Sequence, residues 1–600
     1  MPREITRRDF ALIAAAVASA LRANAQGPSA PGGADDDPIL RAMRDELARS
    51  NQLRVVGGAD EAPYYISYTL SDAESFRVSA SMGAVVGVSE NHFRAPLIEV
   101  RIGNYDQDNT GHIFSGIYTG SRYDGEWPLD DNYATLRESF WLATDRAYKT
   151  ALESMARKRA ALSSSNASTE KLADFSKAEP VKSIAKVTHK KIDQSAWTAR
   201  TVKLSAIFNA YPEALASAVE FQDLPATTYV VNSEGTALRY DDSGISLYAT
   251  AEGQAPDGMF LHDAATFQAF QPEQLPPEAD MQKALTAVAE NIRALVHAPA
   301  GEEFSGPTLF EPQAAAQLLA QLLGDNLRVP RKPVADPGRP VNFVASELET
   351  KLGSRILPDW IDIVDDPTQT AWHGKPLAGY YAFDLEGVPA KVVRVVEKGV
   401  LKSFLTTRQP IRGSASSNGH ARLQGRFGAR SAAISNLFVN ATETVPLADL
   451  KKKLMDLCKD RGKPYGMLVR KLDYPFSSGR AELQALASGG AQSGGSVQPL
   501  SPPVLVYRVY ADGREELVRG LRFRGVSTRS LRDILGASQE TTVFEYTNNA
   551  APLAMIGAGG YMAPTSVVAP AMLFDEIEFE IPRDQLPKPP VVPPPDRGTA

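Results

Sequence analysis

The sequence predicts an α+β protein, a mixed α/β N-terminal domain with long helices followed by a β-rich C-terminal domain. Three observations point there. The 600 residues are 43% hydrophobic and 22% charged, a globular composition in a chain too long for one compact core. Helix-period apolar runs occur at Tyr133 to Leu162 and Ala279 to His297. Between and after them come β-rich blocks broken by turn residues at Ser233-Glu234-Gly235, Asp242-Ser243-Gly244, Leu385-Glu386-Gly387, Lys398-Gly399 and Asp512-Gly513. The blocks follow no fixed period, so they do not make a repeat protein.

In chain order, residues 1–25 read as a twin-arginine signal peptide. Arg7 and Arg8 precede Phe10, an apolar run extends from Ala11 to Leu21, and Ala23-Asn24-Ala25 is a small-x-small cleavage site. The run is about half the length of a spanning helix. The mature chain is therefore expected in the periplasm or secreted, with no transmembrane anchor. Residues 26–37 form a flexible lead-in. An N-terminal α/β domain is placed at 38–185. It opens with a short helix in which Ile39, Leu40, Met43 and Leu47 share a stripe, followed by strands in "APYYISYTLS" and "LIEVRIGN". The long helix after them carries Leu136, Phe140, Leu142, Ala143, Ala147 and Leu152 on its apolar side. A middle hairpin-plus-helix region follows at 186–300, its helix lined by Met281, Leu285, Val288, Ile292 and Leu295. The β-rich C-terminal domain spans 301–585, with a flexible insertion at 487–503, and a Pro-rich tail closes the chain at 586–600.

Charge and residue counts exclude several chemistries. A net charge of -7 over this length leaves no basic footprint for nucleic acid. Cys458 is the only cysteine, so neither an intrachain disulfide nor a cysteine-rich zinc site can form. The seven histidines lie at 92, 112, 189, 262, 297, 373 and 420, so no helix offers two of them to one metal. There is no G-x-S-x-G elbow, no GxxxxGK[ST] loop and no HExxH. "GAGGYM" at Gly557 reads as a mobile Gly-rich loop, Asp365-Asp366 before Pro367 as a turn, and "HKKID" as a solvated connector.

The stretch Pro307 to Asp325, "PTLFEPQAAAQLLAQLLGD", is the most informative. Ala314, Ala315, Leu318, Leu319, Leu322 and Leu323 recur at three and four, one buried helical stripe. Pro312 suits the first turn, and Glu311 falls at the N-terminus, where the helix dipole favours a carboxylate.

Downstream, Gly353-Ser354, Leu357-Pro358, Asp384 with Gly387-Val388, and Lys398-Gly399 stand in the pattern of the TldD/PmbA family. "VYADGREELVRGLRFRG", "VVAPAMLFDEIEFE" and, upstream, "VVNSEG" resemble it too. Its members are described as metallopeptidases and as modulators of DNA gyrase. The resemblance runs from about Asp36 to Pro582 and is strongest in the C-terminal half. It implies that the TldD branch would carry His-Glu-x-x-x-His on this helix, with a late cysteine as a further zinc ligand. Here Phe310 and Ala315 stand at the two histidine positions and only Glu311 remains, a degenerate catalytic position. Cys458 sits in a helix of its own.

The stretch thus resembles the PmbA (TldE) branch, which lacks the zinc motif. That resemblance implies a non-catalytic partner of a TldD-type chain, the pair degrading small unfolded peptides, with zinc in the partner rather than here. Two alternatives stay open. One is an active metallopeptidase that draws ligands from His262, His297, His373, His420, Glu311, Asp365 and Asp366. The other is a stand-alone envelope peptide-binding protein, and the partner could equally be a second copy in a homodimer. The gyrase description does not transfer to an exported chain without a basic footprint.

Overall fold

The computed structural model describes residues 37–53, 62–113, 121–122, 127–164, 172–339, 345–425, 428–475, 500–548 and 563–582, with a few isolated positions besides. The twin-arginine segment, nearly all of the lead-in, most of the 487–503 insertion, the Gly557 loop and most of the tail lie outside the described residues. Two large sheets organise the rest, with helices packed on them, in keeping with the α+β class.

Each sheet is built around one long strand. In the first, Pro63–Ser81 runs antiparallel to Ala84–Ile102 along nearly its whole length. Its other edge carries two strands in succession, Ala226–Asn232 against residues 67–73 and Ala216–Leu224 against residues 76–80. Beyond these the sheet extends to Ala237–Asp241 and Lys182–Ile184 on one side and to Gly244–Gln254 and Phe260–Ala269 on the other. It takes strands from both sides of residue 185, so the N-terminal domain and the middle region drawn from sequence share a single sheet.

Two pairs of helices cover one face of this sheet. Helices Pro38–Ser50 and Tyr133–Ser164 close a core around Ile66, Tyr68, Leu70, Ile98 and Val100. Helices Gln194–Ser205 and Glu278–His297 close another around Phe76, Val78, Phe221 and Leu247. Each fully buried side chain of this size contributes about 1.5–3 kcal/mol. Helices Pro38–Ser50 and Gln194–Ser205 each start at a side-chain cap. Asp37 accepts from Ile39 N at 2.9 Å and Leu40 N at 3.0 Å, and Asp193 accepts from Ala196 N at 2.9 Å.

The second sheet centres on Ala563–Glu580. One edge of that strand pairs first with Asn436–Ala441 and then with Phe304–Phe310, while Ile534–Asn548 lies along the other. Helix Pro312–Gly324 packs on one face and helix Leu447–Asp460 on the opposite face. Of the turns expected from sequence, those at Gly235, Gly244, Gly399 and Gly513 link consecutive strands. Leu385-Glu386-Gly387 instead turns within an isolated bridge between Phe383 and Pro389. Among the described residues no helix is long and apolar enough to cross a membrane.

Candidate functional site

Phe304–Phe310 is a strand, and the helix begins only at Pro312, with Glu311 as its N-cap residue. The three positions of the degenerate motif therefore do not share a helical face. Alternation along the strand sends Phe310 and Leu309 to opposite sides of the sheet. Phe310 enters the core of helix Pro312–Gly324, its ring edge-on to Phe574 at 5.2 Å. Ala315 lies in the same core, and both residues are 0% exposed.

Glu311 turns the other way. Its carboxylate accepts from Lys451 Nζ at 3.1 Å and Arg470 Nε at 3.2 Å. Both cations also bind Glu515, Lys451 at 3.1 Å. The result is a closed square of two carboxylates and two cations, partly exposed, between the sheet edge and helix Leu447–Asp460. Both oxygens of the Glu311 carboxylate are taken up by cations, so this arrangement pins the helix start rather than presenting a free carboxylate to water. Cys458 packs beside Leu309, Leu468 and Leu573, on the face of the sheet opposite Phe310 and Ala315. Burial pushes its thiol up to about 11.

The dispersed candidate ligands are held in separate places. His262 Nδ1 lies 3.1 Å from Asp473 Oδ1, and His297 Nε2 lies 3.3 Å from Glu213 Oε1. His373 is exposed in the turn of a small hairpin. Asp366 accepts from Thr368 N at 2.9 Å, Thr368 Oγ1 at 2.6 Å and Gln369 Nε2 at 3.1 Å, the turn its sequence predicts. Only Asp365 and His420 meet, with His420 Nε2 3.0 Å from Asp365 Oδ1. Ser435 donates to the same carboxylate through its backbone N at 2.9 Å and through its hydroxyl. All three are 0% exposed. The aspartate stands between serine and histidine, so the serine has no base and the group is a structural tie. Among the described residues, no three His, Cys, Asp or Glu side chains converge on a metal position.

Comparison with known proteins bears on this site directly. Residues 304–469 match the PmbA/TldA metallopeptidase C-terminal domain, which includes the strand, the degenerate helix and the turn motifs downstream. Over those residues the chain carries the C-terminal domain of the TldD/PmbA family.

An 81-residue stretch is 38% identical to a metalloprotease of Archaeoglobus fulgidus, covering 14% of this chain and 18% of that protein. A 200-residue stretch is 24% identical to a metalloprotease of Methanothermobacter thermautotrophicus, covering 32% of this chain and 39% of that protein. The chain thus spans less than half the length of the curated relatives it matches. The fold likeness is wider. TldE from Thermococcus kodakarensis superposes with a TM-score of 0.54 at 14% identity, over 90% of this chain and 99% of that one. A protein described as a modulator of a DNA gyrase from Thermotoga maritima gives 0.54 at 14% identity, over 86% and 96%.

The TldD/PmbA motifs named from sequence fall in two structural groups. Gly353, Leu357-Pro358 and Gly399 form one knot. Gly399 O accepts from Ile356 N at 2.8 Å and Leu357 N at 3.1 Å, and Gly353 N donates to Leu401 O at 2.8 Å. The second group joins the two sheets. Asp384 Oδ1 accepts from Glu386 N and Val388 N, each at 2.9 Å, and Oδ2 accepts from Ala421 N at 3.1 Å. Burial, with Glu386 close by, pushes Asp384 up to about 7. Glu386 in turn accepts from Arg408 N at 2.6 Å. The Arg408 guanidinium crosses to the first sheet, where it donates to Ser176 O and, at 2.6 Å, to Glu234 of the "VVNSEG" turn. Arg101 and Arg408 both lie over the Phe175 ring, 3.8 and 4.0 Å from its centroid. Sequence reading missed Arg101, Phe175 and Arg408. Their only signal was the adjacent family turns, since their partners are far away in the chain.

Proposed function

We propose that this chain is a non-catalytic subunit of the PmbA (TldE) type, exported by the twin-arginine route, that pairs with a zinc-bearing TldD-type chain in the degradation of small unfolded peptides. One observation carries the reading. The two positions that would hold imidazoles are filled by Phe310 and Ala315 in a closed apolar core, while Glu311 faces the other side of the sheet and is neutralised by Lys451 and Arg470. An active metallopeptidase using dispersed ligands would need His262, His297, His373 and His420 to gather, and they lie in separate surroundings. The test is affinity purification of the tagged chain from the envelope fraction of its own cell. The expected result is co-purification of an HExxxH-bearing chain, with less than about a tenth of an equivalent of zinc on the isolated subunit. Stoichiometric zinc together with peptide hydrolysis by the chain alone would overturn it.

A second reading, a stand-alone envelope peptide-binding protein, is favoured by one feature. Strand Ala84–Ile102 is paired on its outer edge only at residues 98–99 among the described residues, and Val85, Val86 and Val88 are exposed beside the free stretch. Such an edge can accept an extended peptide by strand addition. Peptide binding by the isolated chain, with no partner recovered, would favour this reading over the first.

A further inference from the structure

The 3-10 turn Thr528–Asp533 sets two arginines side by side. In such a turn the side chains at i and i+3 eclipse. Thr528 and Leu531 form the inner row, 5% and 0% exposed, and Leu531 enters the core of helix Pro312–Gly324. Arg529 and Arg532 form the next row, and both are exposed. Two guanidinium charges stacked in one row repel each other.

This row lines a cavity of about 310 Å³ whose other wall is the segment 347–356. Leu348 and Ile356, each 2% exposed, give that wall an apolar lining, and Lys351 adds a third cation from it. The walls are tied together before anything binds. Glu347 Oε2 accepts from Thr528 N at 3.0 Å and from Thr528 Oγ1 at 2.6 Å, and a capping box between Ser527 and Ser530 fixes the start of the turn.

The three cations have no counter-charge of their own. Among the described residues the side chains of Lys351, Arg529 and Arg532 make no ion pair and no hydrogen bond. The one carboxylate in the cavity, Glu347, is taken up by Thr528 rather than by any of them. Other exposed arginines of the same domain do find acids, Arg524 with Glu578 and Arg461 with Asp575. Three cations on one concave surface make a field that draws an anion. A carboxylate has two oxygens, which a single guanidinium fork can satisfy. A phosphate group carries a charge of about -1.5 to -2 near neutral pH and three acceptor oxygens, enough for all three cations.

We propose that this cavity binds a phosphate group, with Arg529, Arg532 and Lys351 as its cations. The site shares no residue with the Glu311 square or the Arg408 junction, and it is independent of whether the chain is a non-catalytic subunit. Two sources share the chemistry, free phosphate and a small phosphomonoester whose organic part would cover Leu348 and Ile356.

Calorimetric titration of the full chain with phenyl phosphate, inorganic phosphate and phenylacetate, at constant ionic strength, tests the proposal. At least one phosphate probe should bind, and phenylacetate should bind more weakly than phenyl phosphate. Tighter binding of phenyl phosphate than of inorganic phosphate identifies a phosphomonoester, and equal or tighter binding of inorganic phosphate identifies free phosphate. The double variant Arg529→Ala/Arg532→Ala should weaken phosphate binding by about tenfold or more, the loss of two charge-assisted contacts. Both side chains are exposed and unpaired, so the variant is expected to melt with the parent, which a melting curve checks. Lys351→Gln should show a smaller loss. The proposal fails if neither phosphate probe binds at millimolar concentration, if phenylacetate binds as tightly as phenyl phosphate, or if the double variant keeps the parent's affinity.

Discussion

An imidazole placed at Phe310 or Ala315 would enter space that is already closed. At Ala315 it adds volume to a fully buried site, and at both positions its ring nitrogens would find no partner. The double variant Phe310→His/Ala315→His should lose about 3–5 kcal/mol in urea denaturation and bind no zinc, because Glu311 faces away and Cys458 lies across the sheet. Stable folding with stoichiometric zinc in that variant would contradict the placement of the three positions. Glu311→Gln removes one corner of a partly exposed square and should cost only about 1 kcal/mol, with no change in metal content. Asp223 offers a test by pH. Its folded carboxyl titrates near 6, against 3.8 ordinarily, so the native state holds that proton better than the unfolded chain. The stabilisation from protonation is full at low pH and is lost as pH rises from about 4 through about 6. Asp223→Asn should therefore gain about 1–2 kcal/mol near neutral pH and almost nothing near pH 4, read from urea midpoints at the two values.

Between residue and fold stand the elements whose local chemistry is strong. The helix at Pro312 was legible because three signals coincide, a proline that suits the first turn, an apolar stripe at three and four, and an acid just before it. The strand ahead of it was not. "PTLF" is a short apolar run, and such a run does not distinguish a buried strand from the first turn of a helix. That difference moves Phe310 off the helix and into the sheet, and it separates the motif positions. The Gly399 turn was also legible, as Lys398-Gly399, but its reason is tertiary. Gly399 has φ +72°, and a Cβ there would meet Leu357 O at 2.2 Å. Gly399→Ala is expected to cost about 2 kcal/mol or more. Equal melting temperatures for variant and parent would show that the knot can open without penalty.

At the scale of the whole molecule, the two sheets are joined through Arg408, whose side chain is 1% exposed and reaches Ser176 and Glu234. The turns that frame it could be read from sequence. Their meeting could not, because Glu234 and Arg408 are 174 residues apart and no local pattern encodes that contact. The same holds for the boundary at residue 185, since a composition shift marks a connector and not the strands that pair across it. Arg408→Leu would leave Glu234 and Glu386 without their main cation and should cost about 3–5 kcal/mol. It should also separate the unfolding of the two sheets into distinguishable steps, visible by following near- and far-ultraviolet circular dichroism together. The lone cysteine acquires a practical meaning in this setting. Enclosed at 1% exposure between a helix and a sheet, with its thiol held protonated by burial, Cys458 meets a labelling reagent only when that helix lifts or the domain opens. The chain thus carries its own single-site clock for opening of the C-terminal sheet, and the alkylation rate at Cys458 would time that event without any engineered probe.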